Sequence, residues 1–413
     1  MAKKALAQWA TVRGTARDEL WGMEHTRVTL EDVFGEDLHL ARVRSLSNGV
    51  SGMLNARTAS IAAIGRAYAK ARGIETKSGI KQIDRLLSND GLRMEEVLPL
   101  WVKHVVGATP EVFVAIDWTD FDNDDHTTLC VSLITTHGRA TPLAWRTVKK
   151  SKLKNRRTRY ELEMVERVYD FMPRSTHVTW LGDRAFGYGQ MREAISRRGH
   201  DYILRFRENV MVQDGDDKTL LAASAYVPEN GRVRMLVDPK LTHEREPAPA
   251  VVLVKRKGMK EAWCLVTSLK DARASDSVAA YSRRFTIEET FRDTKDLTFG
   301  MGLRATHIRD ENRRDRMLLL IAIAQTLLTL LGVASEASGL DRTLKANTVK
   351  RRTMSLLNQG LYWYDCLATM RGEWFERLMA AYENTLQDHQ DLAQILLFNT
   401  PLAVEKWALR DNR

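Results

Sequence analysis

The chain has 413 residues, 44% hydrophobic and 28% charged, the balance of a soluble globular protein long enough for two to four domains. Lys and Arg number 63 against 53 Asp and Glu, a formal charge of +10, which favours a polyanionic partner beside the plainer reading of a merely basic surface. Its three cysteines, Cys130, Cys264 and Cys366, are far apart and show no CxxC or CxxH spacing, which excludes a disulfide framework and argues against structural zinc.

The opening MAKKALAQWATVRG lacks the apolar core of a signal peptide, so a cytoplasmic location is expected. Helices are predicted over 2–20, 56–72, 79–88 and 93–106, with Gly73 and Ser78 as stop and start signals. IAAIGRAYAKARG followed by GIKQIDRLLSN reads as two short basic helices around a turn. Such a pair can place one helix in a DNA groove, although any small helical bundle shows the same pattern.

The character changes at residue 111. EVFVAIDWTDF, TLCVSLITTHG and ATPLAWRTV read as three meandering strands. The basic run KKSKLKNRRTRY leads into an amphipathic helix, RYELEMVERVYDFMP, ended by Pro173. HVTWLGD then reads as a buried strand, GQMREAISRRG as a helix and DYILRFR as a fifth strand. Short alternating runs from about 206 to 272 suggest a β-rich insertion, and helix returns from 276. Residues 317–334 approach the length of a membrane span, but Gln325, Thr326 and Thr329 interrupt the segment and no second one exists, so a fully buried helix is expected. Three strands, helix, strand, helix, strand is the order of an RNase H-like α/β fold.

Three acids stand out against that order. Asp117 is the first acid after the strand VFVAI, Asp183 follows HVTWLG, and Glu288 lies on the later helix. In an RNase H-like sheet the first and fourth strands are neighbours, so the two aspartates would meet and the helix would lay Glu288 across the same edge. Three carboxylates suit two hard divalent cations, Mg²⁺ or Mn²⁺, about 3.5–4 Å apart, the chemistry of phosphodiester hydrolysis and strand transfer. Each acid also has a plain reading: a solvated turn for Asp117 or Asp183, and an ion pair to Arg284 or Arg292 for Glu288. If YSRRFTIEETFRDTK forms one helix, Tyr281, Arg284, Glu288 and Lys295 share a narrow stripe with Arg292 beside them.

AIDWTDF, WLGDRAFG and YSRRFTIEETFRDTK resemble motifs of the insertion sequence 4 family of bacterial DDE transposases. The last matches the pattern Tyr, two residues, Arg, three, Glu, six, Lys. The resemblance implies residues 1–110 as a helical DNA-binding region, 111–310 as the RNase H-like catalytic domain, and 311–413 as a helical region that helps form a homodimer. It implies Asp117, Asp183 and Glu288 as catalytic metal ligands for two ions, and Tyr281, Arg284 and Lys295 as DNA contacts near the transposon end, with Arg292, beside that stripe, as a further candidate contact. The implied reaction is nicking, hairpin formation and opening, and strand transfer. Trp263, in AWCLVTSLK, would stack a base flipped from the hairpin, or else is a core tryptophan. The basic clusters 149–159, Arg313, Arg314, Arg316 and 350–352 would grip DNA or be solvated helix faces. Two other readings remain at this stage: another RNase H-like metal-dependent endonuclease, and an inactive DNA-binding protein descended from a transposase.

Overall fold

The structure, a computed structural model, describes residues 25–215, 217, 219–296 and 300–388. The helix expected over 2–20 lies outside them. The chain divides into two compact units: among the described residues, one is Val106–Phe291 and the other is drawn from the chain before and after it.

The flanking unit is helical. Its first part holds α1 (Thr26–Phe34), α2 (Leu40–Ala56), α3 (Ile61–Arg72), α4 (Thr76–Leu87) and most of α5 (Met94–Val106). Ser60 caps α3 by accepting the Ala63 N–H, and Gly73 ends it in the left-handed region at φ 63°. The α3–α4 pair gives the expected two helices around a turn, but α3 starts at Ile61, after its Ser60 cap, and α4 at Thr76, ahead of the expected start at Ser78. The sequence did not suggest α2, whose Gly49, Gly52 and serines have low helix propensity. Those glycines lie on the packed face: a Cβ at Gly49 would meet Leu86 and Leu320, and one at Gly52 would meet Ile64 and Tyr68. Close packing overrides local preference here.

The central unit follows the RNase H-like order. Strands β1 (Glu111–Phe121), β2 (His126–Leu133) and β3 (Thr141–Lys149) form an antiparallel meander. Helix α6 (Arg157–Phe171), β4 (His177–Gly182), α7 (Gly189–Arg197) and β5 (Asp201–Phe206) follow, with β4 parallel to both β1 and β5. Short strands come next: β6 (Met211–Gln213), β7 (Leu220–Ala222), β8 (Arg234–Val237), β9 (Lys240–Leu241), β10 (Glu246–Pro247), β11 (Ala250–Val254) and β12 (Trp263–Thr267). Helices α8 (Ala274–Ser282) and α9 (Thr286–Lys295) close the segment, and the division between units falls inside α9.

The expected insertion is only partly separate. β12, β11 and β8 extend the central sheet to eight strands in the order β3-β2-β1-β4-β5-β12-β11-β8, and only β6, β7, β9 and β10 form a second small sheet. The reason lies in VVLV and CLVT, buried along their whole length. Runs that apolar cover the open edge of β5, through pairs such as Cys264 with Phe206, instead of standing alone.

Helices cover both faces. Val278, Ala280, Tyr281 and Ile287 pack on Ala115, Leu181, Ile203, Val252 and Leu265. The opposite face receives α6 through Glu161, Met164, Val165 and Val168. Trp145 and Trp180 are core residues, as expected.

After the central unit, the flanking unit resumes with α10 (Glu311–Ala337), α11 (Leu356–Cys366) and α12 (Gly372–Asp388). The apolar stretch of α10 has the length of a membrane span, yet 89% of it is buried against neighbouring helices.

Candidate active site

The site begins with register. The last paired residues of parallel β1 and β4 are Ile116 and Gly182, so Asp117 and Asp183 are the next residue on each strand. Asp117 is not at a strand end, as the sequence suggested. β1 continues to Phe121 because the β2 hairpin carries it onward, with Asp117 opposite Cys130. Asp183 turns away from the sheet: its Oδ1 accepts the Ala185 N–H at 2.8 Å and its carbonyl accepts the Phe186 N–H at 3.0 Å. A Cβ on Gly182 would stand 2.8 Å from Phe186 Cβ and 2.9 Å from Leu204 Cδ2, so the tight turn holding Asp183 needs a glycine there.

Glu288 arrives on α9. Ile287 is fully buried in the core beside it. Thr290 Oγ1 donates to the Ala140 carbonyl at 2.8 Å, and the Ala140 N–H lies 2.9 Å from the same hydroxyl. These contacts pin the first turns of α9 to the loop before β3. The single helical stripe expected over 281–295 does not form. A 3-10 turn over Arg283–Phe285 separates α8 from α9. A tighter turn advances about 120° per residue where an α-helix advances about 100°, so three such residues twist the stripe by about 60°, and Arg284 still reaches both the Tyr281 ring and Glu288.

Arg284 sits in that turn and joins two of the acids. Its Nη1 donates to Asp117 Oδ2 at 3.2 Å and its Nη2 to Glu288 Oε1 at 2.6 Å. The Arg284 side chain is only 6% exposed, whereas that of Glu288 is 51% exposed. Burial pushes the Asp117 carboxyl up to about 6; Asp183 and Glu288 push it the same way, against Arg284 and the Trp118 N–H, which favour the anion. Asp117 therefore feels the charge of both other acids.

The donor chemistry fits a hard divalent cation: three carboxylates, with more negative charge around Asp117 than one guanidinium neutralises. Among the described residues no three His, Cys, Asp or Glu side chains lie close enough to share an ion. In this arrangement Arg284 takes up the lone pairs of Asp117 and Glu288 that a cation would use.

The other expected contacts are placed differently. Tyr281 is buried, its phenol pushed up to about 12 by that burial. Trp263 is half-buried, edge-on to Tyr281 at 5.0 Å between ring centroids and stacked on Phe285 at 5.9 Å. Phe285, which the sequence reading did not single out, is an exposed aromatic; its signal was its place directly after Arg284. Arg292 and Lys295 occupy the last turn of α9, in the part of the chain that belongs to the flanking unit.

The cluster Arg313, Arg314 and Arg316 is committed inside the protein, and of 350–352 Arg352 is paired while Lys350 and Arg351 are exposed. Arg316 donates to the carbonyls of Leu87 at 2.8 Å and Leu92 at 3.0 Å, and Arg313 pairs with Asp84 at 2.7 Å. Buried Arg314 donates to the Ile308 carbonyl. Arg352 pairs with Glu336. Arg314 and Arg316 cap and join chain segments, because a buried guanidinium must spend its N–H groups on nearby acceptors. In 149–159, Lys150 bonds Asp120 and Asp122, while Arg159 is exposed beside Glu163.

An RNase H-like sheet with three acids gathered around paired strands defines a class of metal-dependent nucleic-acid enzymes. The family model described as transposase DDE domain matches residues 109–327, more than half of the 413-residue chain. The chain belongs to that family, and it is a DDE transposase. No curated protein matches it.

Proposed function

We propose that this protein is a transposase of the insertion sequence 4 type, which excises a DNA element and joins it to target DNA at a site built from Asp117, Asp183 and Glu288. The observation that carries the reading is the register of Ile116 against Gly182, which sets two aspartates side by side, with Glu288 tied to Asp117 through Arg284. The three carboxylates would hold two divalent cations, Mg²⁺ or Mn²⁺. When bound, these supply activation of a water or 3′-hydroxyl and stabilisation of the leaving oxygen.

The chain's own residues do the rest. Asp117 and Asp183 are held by a rigid sheet and a tight turn, so their oxygens need little reorganisation. Glu288, half exposed, closes the site from α9. Arg284 must surrender its carboxylate bonds when cations enter, and its freed guanidinium then has a phosphate oxygen as its natural partner. Lys295 and Arg292, further along α9, add phosphate contacts. Trp263 and Phe285 offer the aromatic surface on which an unstacked base would rest, as hairpin formation requires. The α3–α4 pair is the candidate DNA-binding element, and the helices after residue 311 are the candidate dimer surface.

The test uses supercoiled DNA carrying matched inverted repeats, with Mg²⁺. Asp117→Ala, Asp183→Ala and Glu288→Ala each abolish nicking while leaving end binding intact. Nicking retained by all three variants rules out this site. Nicking without joining of a 3′-hydroxyl to target DNA identifies an endonuclease instead.

A further inference from the structure

Glu161 is an acid where an apolar residue belongs. On α6 the sheet-facing stripe is Glu161, Met164, Val165 and Val168, the i, i+3, i+4, i+7 pattern of a core face. Glu161 is 1% exposed and forms no ion pair within 4.0 Å with a described residue. Burying a carboxylate is costly unless strong donors satisfy it. Its Oε1 accepts the indole N–H of Trp118 at 2.7 Å, and its Oε2 accepts the phenol O–H of Tyr188 at 2.8 Å. The Arg157 guanidinium lies over the Trp118 ring, 5.1 Å from its centroid, and is the nearby positive charge.

Both donors sit next to the proposed site. Trp118 follows Asp117 directly on β1, and Tyr188 ends the turn that begins at Asp183 and caps α7. The side chains of Asp117 and Trp118 leave opposite faces of the strand. Glu161 therefore grips the back of the sheet at the point where the aspartates leave its edge. We infer that Glu161 is a positioning residue, which fixes the spacing of Asp117 and Asp183 by tying Trp118 to Tyr188. This rests on the metal-binding reading of those aspartates. A carboxylate accepts from both donors; a glutamine could keep the Trp118 bond and donate to the Tyr188 hydroxyl, so leucine is the change that opens the clamp. Both oxygens are turned to Trp118 and Tyr188, and Trp118 leaves the opposite face of β1 from Asp117, so Glu161 acts through its neighbours.

The test measures Mn²⁺ binding to the full chain by electron paramagnetic resonance, with thermal melting and near-ultraviolet spectra alongside. Glu161→Leu, which can make neither bond, weakens Mn²⁺ binding by ten-fold or more, the range expected when an outer-shell partner is lost. Tyr188→Phe weakens it in the same direction, and the double variant is little worse than Glu161→Leu alone, because both changes break one clamp. If wild type binds Mn²⁺ and neither single variant weakens it, the clamp is refuted while the site stands. If wild type binds no Mn²⁺ at Asp117 and Asp183, the metal reading fails and the clamp with it. Should Glu161→Leu not fold, Tyr188→Phe decides, since it leaves the Trp118 bond in place.

Discussion

Arg284 stands between Asp117 and Glu288, with Nη1 3.2 Å from one carboxylate and Nη2 2.6 Å from the other. It supplies the positive charge that two acids at one site require. A residue of this kind competes with any incoming cation and then has a free guanidinium once displaced.

Replacing Arg284 with alanine should thus separate two effects. At pH 8, where Asp117 is ionised, Mn²⁺ binds the free protein about ten-fold more tightly, a gain of ~1.4 kcal/mol, because a competing cation is gone. Binding to transposon-end DNA weakens because a phosphate partner is gone. Electron paramagnetic resonance and gel-shift titration read the two; a fall in Mn²⁺ affinity would mean that Arg284 supports cation binding.

Asp117 makes stability depend on pH in a stated direction. Its folded carboxyl titrates at about 6, above the ordinary 3.8, so folding favours the protonated form. The stabilisation is complete below pH 3.8 and is lost as pH rises through about 6. A shift of this size corresponds to about 3 kcal/mol, reduced by the partial exposure of the group. Asp117→Asn does not ionise, so its stability relative to wild type should rise by roughly 2–3 kcal/mol between pH 4 and pH 7. Urea unfolding of both proteins across that range measures the difference; a flat difference would show that Asp117 is not desolvated.

Gly182→Ala tests the turn that aims Asp183. The added methyl group would lie 2.8 Å from Phe186 Cβ and 2.9 Å from Leu204 Cδ2, and buried neighbours must move. Overpacking of this kind costs about 1–3 kcal/mol. Thermal melting should fall by several degrees, and nicking should fall about ten-fold or more as Asp183 shifts. A melt unchanged from wild type would show that the turn has room to spare.

Lys295→Ala should weaken binding to transposon ends and lower the steepness of its salt dependence by about one unit in log–log form, the signature of one lost phosphate contact. Fluorescence anisotropy from low to moderate salt reads the slope, and an unaltered slope removes Lys295 from the DNA interface.

Much of the core was legible because its signals are local. The apolar run in EVFVAIDWTDF, the stop at Pro173 and the buried run HVTWLG each depend on neighbours within a few residues, and each became an expected strand or helix end. Errors arose where distant contacts decide. Gly49 and Gly52 lower the helix propensity of α2, but the side chains they pack against lie elsewhere in the chain. The 3-10 turn at Arg283–Phe285 is likewise invisible in residue spacing, and it aims Arg284 at Asp117 across 167 positions.

By itself the sequence determined which acids are present, the order of strands and helices along the chain, and its basic charge. Those follow from residue type and short-range periodicity. That β1 and β4 are neighbours was an analogy until the structure paired them. Only the tertiary structure decided that Arg284 bridges Asp117 and Glu288, that Arg314 and Arg316 turn inward, and that Glu161 lies buried between Trp118 and Tyr188. Charged groups choose partners by distance and burial, and neither quantity exists until the chain has folded.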